Sequence, residues 1–516
     1  MSNIETKEKR GRMILLATIL ASGMSFLAST TVSIALPAIQ SAFNASINNI
    51  QWILNSYVLA LAVLILVSGS LGDHFGRKKI FLYGIAVFTV GSLFSALAQS
   101  VQQLIAFQAL QGVGAAMMVP GSLAIINVCF VEKERGKAIG LWAGVSGAMA
   151  AIGPLAAGWL LDVFSWPSVF WLNVPIGFLV FFIAKRHAPE SYNTEARNID
   201  WFGALLVAVS LLSLSYALIQ GSVHGWGDQR IVLSFTAALL ALIFFIFVEK
   251  TVAEPLVPLG IFKNPLVLGA NAATFMLYFA LSGTIIFLAL NLQQIQGYSP
   301  FETGLALLPP VTIIALFSGW AGSLADRIGP RMQMIVGPLV VAMGMTYLAF
   351  SGTNASYFTN FFPGLVLFGA GMAFTIAPLT KSALEVEENF SGVASGVNNA
   401  VSRVASLMAV AVLGAVMLAF FGSNISDRVE GLPIVSEQKE IILNQRDKLG
   451  GISIPESFNS FSQKHIRSAI EESFAEGFKW VMAINAILAF TAAAISFFEI
   501  HNPVDIEYRK RREEVK

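Results

Sequence analysis

The chain has 516 residues, of which 55% are hydrophobic and only 12% charged, and its net charge is +1 at pH 7. Soluble domains carry about 25% charged residues, so this composition excludes an ordinary soluble enzyme, and the near-zero charge excludes a basic field that would gather nucleic acid. A single cysteine, Cys129, excludes an internal disulfide and a cysteine-built metal site.

A bilayer core needs about 20 apolar helical residues per crossing. Fourteen runs meet that need, at about 13–36, 50–70, 79–98, 103–127, 138–161, 168–184, 201–220, 231–248, 266–290, 303–325, 333–351, 360–380, 399–421 and 478–498. The first follows Lys7, Lys9, Arg10 and Arg12. It is too long for a signal-peptide core and reads as an uncleaved span. With the N-terminus in the cytoplasm, 23 of the 32 Lys and Arg fall in cytoplasmic segments, and the short outside loops hold one, Arg230. This asymmetry is the positive-inside pattern. The expected fold class is therefore an all-α integral membrane protein with 14 transmembrane helices and cytoplasmic termini.

Between spans 2 and 3 lies Gly69-Ser-Leu-Gly-Asp-His-Phe-Gly-Arg-Lys-Lys79, and the chain writes it again as Gly322-Ser-Leu-Ala-Asp-Arg-Ile-Gly-Pro-Arg331. Gly69, Asp73, Gly76 and Lys78 correspond to Gly322, Asp326, Gly329 and Arg331 at an offset of 253. The offset lays span 1 over span 9. It predicts a tail at 1–12, a six-helix bundle at 13–184 and a linker with two spans at 185–265. A second six-helix bundle follows at 266–498, with a basic tail at 499–516. Two bundles related by a parallel repeat, with the site between them, form a known secondary-transporter plan. In the hinge, Gly69, Gly72 and Gly76 allow a tight turn. Asp73, Arg77 and Lys78, with Asp326 and Arg331 in the copy, can form charged contacts that hold the bundles in one state and break in the other.

In span 5, Gly140, Gly144, Gly147, Ala151, Pro154 and Gly158 step by 4, 3, 4, 3 and 4, placing small residues on one face that lets helices pack closely. Pro154, preceded by Gly153, adds a kink. The neutral polar residues Thr30, Thr31, Asn55, Gln108, Gln111, Asn271, Gln293 and Gln294 are candidates to line a substrate pathway; each serves equally as an interhelical hydrogen bond. Arg403, about one turn from the cytoplasmic end of span 13, is the one clearly charged residue inside a span and a candidate for the same pathway or, equally, for lipid-headgroup contact, while Asp162, Asp200, Glu302, Glu385 and Glu499 fall at span ends. The outside loop at 422–477 is broken by Pro433 and Pro455, and its 463–479 segment reads as an amphipathic helix on the membrane face. That loop is either a substrate lid or a tolerated insertion. No Gly-x4-Gly-Lys-Ser/Thr loop and no His-Glu-x-x-His occurs, so neither ATP hydrolysis by that route nor a metal site is expected.

In order along the chain, several segments carry a resemblance. They are Thr30–Ile39 with Ala35-Leu36-Pro37, Trp52 and Tyr57, Gly69–Lys79, and Ala148–Gly158 with Gly153-Pro154. In the second half they are Gln296-Gly-Tyr-Ser-Pro300, Leu308-Pro-Pro310 and Ala325–Arg331. Together they resemble the major facilitator superfamily, in its fourteen-span drug:proton antiporter branch. The resemblance implies a secondary-active multidrug efflux pump, not an enzyme, working as a monomer in the cell membrane. It implies a small-molecule substrate, no nucleic acid, and no cofactor beyond an ion gradient carried by protons. It also implies that the span-5 face keeps the antiporter sealed against leak. Two family residues are absent: the span-1 Asp falls at Ala28 and the span-4 Arg at Gln108. The alternatives are a transporter of one endogenous solute (a lipid, siderophore or metabolite) with unusual or no proton coupling, or a non-transporting membrane sensor.

Overall fold

Apolar runs and their caps set the helices. The computed structural model describes residues 9–192, 200–385 and 391–500. The first bundle holds α1 (Lys9–Phe43), α2 (Ile47–Phe75), α3 (Arg77–Ala96), α4 (Val101–Cys129), α5 (Glu132–Val163) and α6 (Asn173–His187). The linker holds α7 (Trp201–His224) and α8 (Gln229–Thr251). The second bundle holds α9 (Pro265–Leu290), α10 (Leu308–Ile328), α11 (Arg331–Ala349), α12 (Phe362–Ala383), α13 (Ser391–Glu430) and α14 (Ser460–Glu499). Thirteen of the described spans are long and apolar enough to cross a bilayer, and α5, with its apolar stretch Ile152–Val163, makes fourteen.

The helix starts follow elementary capping. Ser46 and Ser100 accept from the backbone N–H three residues on, and Ser299 with Glu302 closes a reciprocal capping box. The hinge and its copy share one backbone turn. Gly76 ends α2 at φ +104° and Gly329 ends α10 at φ +83°, a region that only glycine enters without strain. The repeat is also visible in packing. The pairs α1–α5, α1–α6, α2–α4, α3–α4 and α3–α6 recur as α9–α13, α9–α14, α10–α12, α11–α12 and α11–α14.

The linker pair is placed asymmetrically. α7 packs on α8 and also touches both α2 and α13, so it lies along the seam between the bundles. Asn48 donates to the Ile219 carbonyl at 2.8 Å, and the rings of Trp52 and Tyr216 meet at 6.5 Å. α8 presents Leu239, Ile243, Phe244 and Phe247 outward, as a lipid-facing helix does.

The 422–477 segment differs from the sequence expectation. α13 runs on to Glu430 and α14 already begins at Ser460, so 463–479 is the first part of the last span rather than a separate surface helix. The reason is continued periodicity beyond the bilayer. Phe421, Ile425 and Val429 of α13, spaced by four, are fully buried, as are Ile466, Ile470 and Phe474 of α14. Arg428 and Glu472 form an ion pair between the two extensions.

Candidate functional site: the seam between the bundles

Call the end where α1 begins the near end and the opposite end the far end. At the far end the two bundles are joined by a cluster of hydrogen bonds. Gln51 of α2 donates to the Val410 carbonyl at 2.6 Å. Gln293 donates to the Ile34 carbonyl at 3.0 Å, and Gln294 to Gln40 Oε1 at 2.7 Å. Ser299 donates to Asp162 Oδ2 at 3.1 Å. The turn Arg446–Gly451 between α13 and α14 lies across this closure. Gln40 donates to the Lys448 carbonyl at 3.0 Å, and Lys448 Nζ bonds Asn44 Oδ1 at 2.6 Å and Gln445 Oε1 at 3.0 Å.

Small residues let the backbones meet there. A β-carbon on Gly158 would lie 2.6 Å from Pro300 O, and one on Gly304 would lie 2.5 Å from Pro154 O. Gly153 packs on Thr30 of α1, inside its own bundle. Gly140 faces open space. Gly144 and Gly147 lie outside the described side chains.

At the near end Asp73, Arg77 and Lys78 of the hinge bond within their own bundle. Arg77 pairs with Asp73 at 2.7 Å. The N–H of Arg77 donates to Ser191 O and that of Lys78 to Glu190 Oε1, both at 3.0 Å, so the chain after α6 caps α3. Gly72 turns its Cα toward Arg77. In the copy, Arg331 donates to Phe497 O at 3.2 Å and lies over the Phe497 ring. The surroundings of the Asp326 side chain and of Gly69 lie outside what the structure describes. The bonds of Gln40, Gln51, Gln293, Gln294, Ser299 and Lys448 thus cross the seam between the bundles at the far end.

Midway along the seam stands Arg403. Its guanidinium lies 5.5 Å from the Phe26 ring of α1 and within electrostatic reach of Tyr57 of α2 and Tyr278 of α9. Its Nε is buried without a hydrogen-bond partner. Asn55 is fully buried, and neither atom of its amide is partnered. The other polar positions are engaged elsewhere. Gln108 bonds Gln111 and Ser95 inside the first bundle. Asn271 bonds Val267 O and receives Asn398, inside the second. Thr30 and Thr31 bond carbonyls of their own helix. Gln293 and Gln294 belong to the far-end closure.

Two features escaped the sequence reading. Gln40, Asn44 and Lys448 make the closure through side-chain amides, a backbone carbonyl and one lysine on a loop, which leave no pattern in sequence. Glu249, only 4% exposed, is the one charged side chain among the described residues that is more than nine-tenths buried. It stands at the end of α8 and so reads as a boundary residue. The chain beyond folds back to bury it, with the Val257 N–H on Oε2 at 2.8 Å. Asp200 caps α7 through Gly203 N at 2.7 Å. The remaining oxygens, Asp200 Oδ2 and Glu249 Oε1, are buried, unpartnered and converge on Gly203. A groove of about 410 Å³ lined by Phe420, Asn424, Glu476 and Trp480 lies well past Arg403 along α13 and is not part of the seam.

Two like bundles, a linker pair and a midway seam closed at one end are the build of an alternating-access transporter. The model of the Major Facilitator Superfamily matches residues 18–410, and the chain belongs to that family. It is 34% identical over 487 residues to the multidrug resistance protein Stp of Mycobacterium tuberculosis, covering 92% of this chain and 89% of the relative. It is 32% identical over 497 residues to the tetracenomycin C resistance and export protein of Streptomyces glaucescens, covering 94% and 90%. Among solved structures it is similar to a bacterial homologue of the human lysosomal transporter Spinster, inward-facing and unoccupied, with a TM-score of 0.67, 18% identity and coverage of 96% and 99%. That last likeness concerns the fold.

Proposed function

We propose that this transporter is a multidrug-type efflux pump that exports amphipathic small molecules in exchange for protons, as a monomer in the cell membrane with both termini in the cytoplasm. The observation that carries the reading is the one-sided closure. Hydrogen bonds and glycine contacts join the bundles at the far end, while the hinge at the basic near end bonds within its own half. With the near end cytoplasmic by the positive-inside pattern, this is the state that receives cargo from the cytoplasm. The names of the relatives support antibiotics as cargo.

Proton exchange needs a group that titrates. Ala28 and Gln108 offer none. The carboxyl of Glu249 supports it, because it is buried and burial disfavours the charged form of an acid. The test is purified protein in liposomes with an imposed pH gradient and a panel of amphipathic antibiotics, beside potency shifts in cells that overexpress the chain. Gradient-driven flux of several compounds is expected. No potency shift for any compound, or flux indifferent to the gradient, rejects the reading.

A further inference from the structure

We infer that Arg403 recognises the acidic group of the exported molecule, so that the preferred cargo is an amphipathic monoanion with an apolar body and a carboxylate or a group of like geometry. The inference rests on the transporter reading and names the substrate class of the same seam.

A cation within a membrane span is costly and ordinarily pairs with an acid or with carbonyls. Among the described residues Arg403 has no hydrogen-bonding or ionic partner. Its described contacts are the Phe26 ring face and the electrostatic influence of two tyrosines, and its Nε is buried without an acceptor. A guanidinium has five N–H donors in a planar fork that matches a carboxylate in two parallel bonds.

Position adds to this. Asn398 and Ser406 of α13 bond α9 within the second bundle, whereas Arg403 reaches across to α1, and Val410 and Gly414 meet Gln51 of α2. Arg403 therefore stands on the face of α13 that meets the other bundle. Asn55 follows Gln51 by four residues, which puts it on the same face of α2, turned to α13. Its amide, fully buried with both atoms unpartnered, is a second polar group aimed into the seam. A fork and an amide donor are what a carboxylate with two oxygens requires. Beside them the Phe26 ring offers apolar surface for an apolar body.

The sign of the charge argues against the opposite class. Among the described residues the one acid more than nine-tenths buried, Glu249, is on the linker pair, on α8 rather than on the helices that surround Arg403. A cationic molecule entering beside Arg403 meets a like charge with no acid to offset it, and the reduced dielectric strengthens the repulsion.

The experiment uses three probes of one shape on full-length protein in nanodiscs: 2-naphthoate, the neutral 2-naphthamide and the cationic 2-naphthylmethylammonium. Equilibrium binding at pH 7 is measured by calorimetry, and counterflow of each probe is followed in proteoliposomes. The acid is expected to bind at least about tenfold tighter than the amide, since charged hydrogen bonds are about twice as strong as neutral ones, with the cation weakest. R403Q should bring the acid down to the amide while leaving amide binding in place, and R403K should keep part of the preference. Binding of the acid no tighter than the amide, no binding by any probe, or a preference unchanged in R403Q overturns the inference. The wild-type comparison stands even if R403Q fails to fold. Selective binding without counterflow of any probe would leave the anion site standing and reject the transport reading instead.

Discussion

The Cα of Gly158 in α5 lies against the carbonyl oxygen of Pro300, which a β-carbon at 158 would approach to 2.6 Å. Gly304 makes the reciprocal contact on Pro154 O. The two bundles thus touch backbone to backbone at the far end. A methyl group here cannot be absorbed by a flexible side chain, because the atoms it meets belong to the main chain. G158A and G304A should each open the far end and lower export by about tenfold, consistent with overpacking costs of about 1–3 kcal/mol. Spin labels at S41C and R446C, both on exposed sites, should report a longer far-end distance in each variant. An unchanged distance with unchanged export would show that the contact does not seal the seam.

The turn that holds Lys448 joins the first bundle through a side chain and a carbonyl at once. Lys448 Nζ bonds Asn44, and Lys448 O receives Gln40. K448M removes the first bond and leaves the second. A hydrogen bond to a charged group contributes about 1.5–3 kcal/mol when sheltered, and this one is exposed, so about 1 kcal/mol or less is expected here. The far-end-closed population, read from the same label pair, should fall by about two- to fivefold. Q40L, which breaks the carbonyl bond, should act in the same direction. A tolerated insertion would leave the population unmoved in both variants.

Much of this architecture was legible because it rests on local chemistry that repeats. Gly76 and Gly329 share a positive φ that glycine supplies, so the turn left its mark twice in the sequence. Apolar length fixed fourteen spans because lipid leaves the backbone no other partners. The ends of α13 and α14 were illegible to hydropathy, since Ile425, Val429, Ile466 and Ile470 continue one buried face where the overall composition turns polar. Of the polar residues, Arg403 was visible as a charge inside a span. Gln293 and Gln294 gave no sign of which end they join, because their acceptors, Ile34 O and Gln40, lie in another bundle. Glu249 looked like a boundary residue because a fold-back of the following loop, and nothing near it in sequence, buries it.

Asp73 and Arg77 pair one helical turn apart at the near end, both partly exposed. Such a pair contributes about 1 kcal/mol or less, so its loss should not unfold the protein. If Asp73 exchanges Arg77 for a partner on the other bundle when the near end closes, D73N will lower export at least about tenfold at normal surface expression. The thermal midpoint should stay nearly unchanged. Normal export in D73N limits the hinge to an orienting loop.

Asp200 and Glu249 present two buried, unpartnered oxygens to the same glycine, one from each helix of the linker pair. Their other oxygens are held by backbone N–H groups, so neither carboxylate can turn away without losing a bond. α7, which Asp200 caps, lies along the seam against both α2 and α13, so a change of charge at the pair acts on an element that touches both bundles. E249Q keeps the shape of the buried side chain and removes its titrating proton. If Glu249 carries the exchanged proton, E249Q should abolish the acceleration of export by an imposed pH gradient, while counterflow, which needs no net proton movement, persists within about twofold. A purely structural pair predicts the reverse: lower yield and a lower thermal midpoint, with the gradient response intact in whatever protein folds. Measuring both responses on the same liposome preparation decides between the two roles.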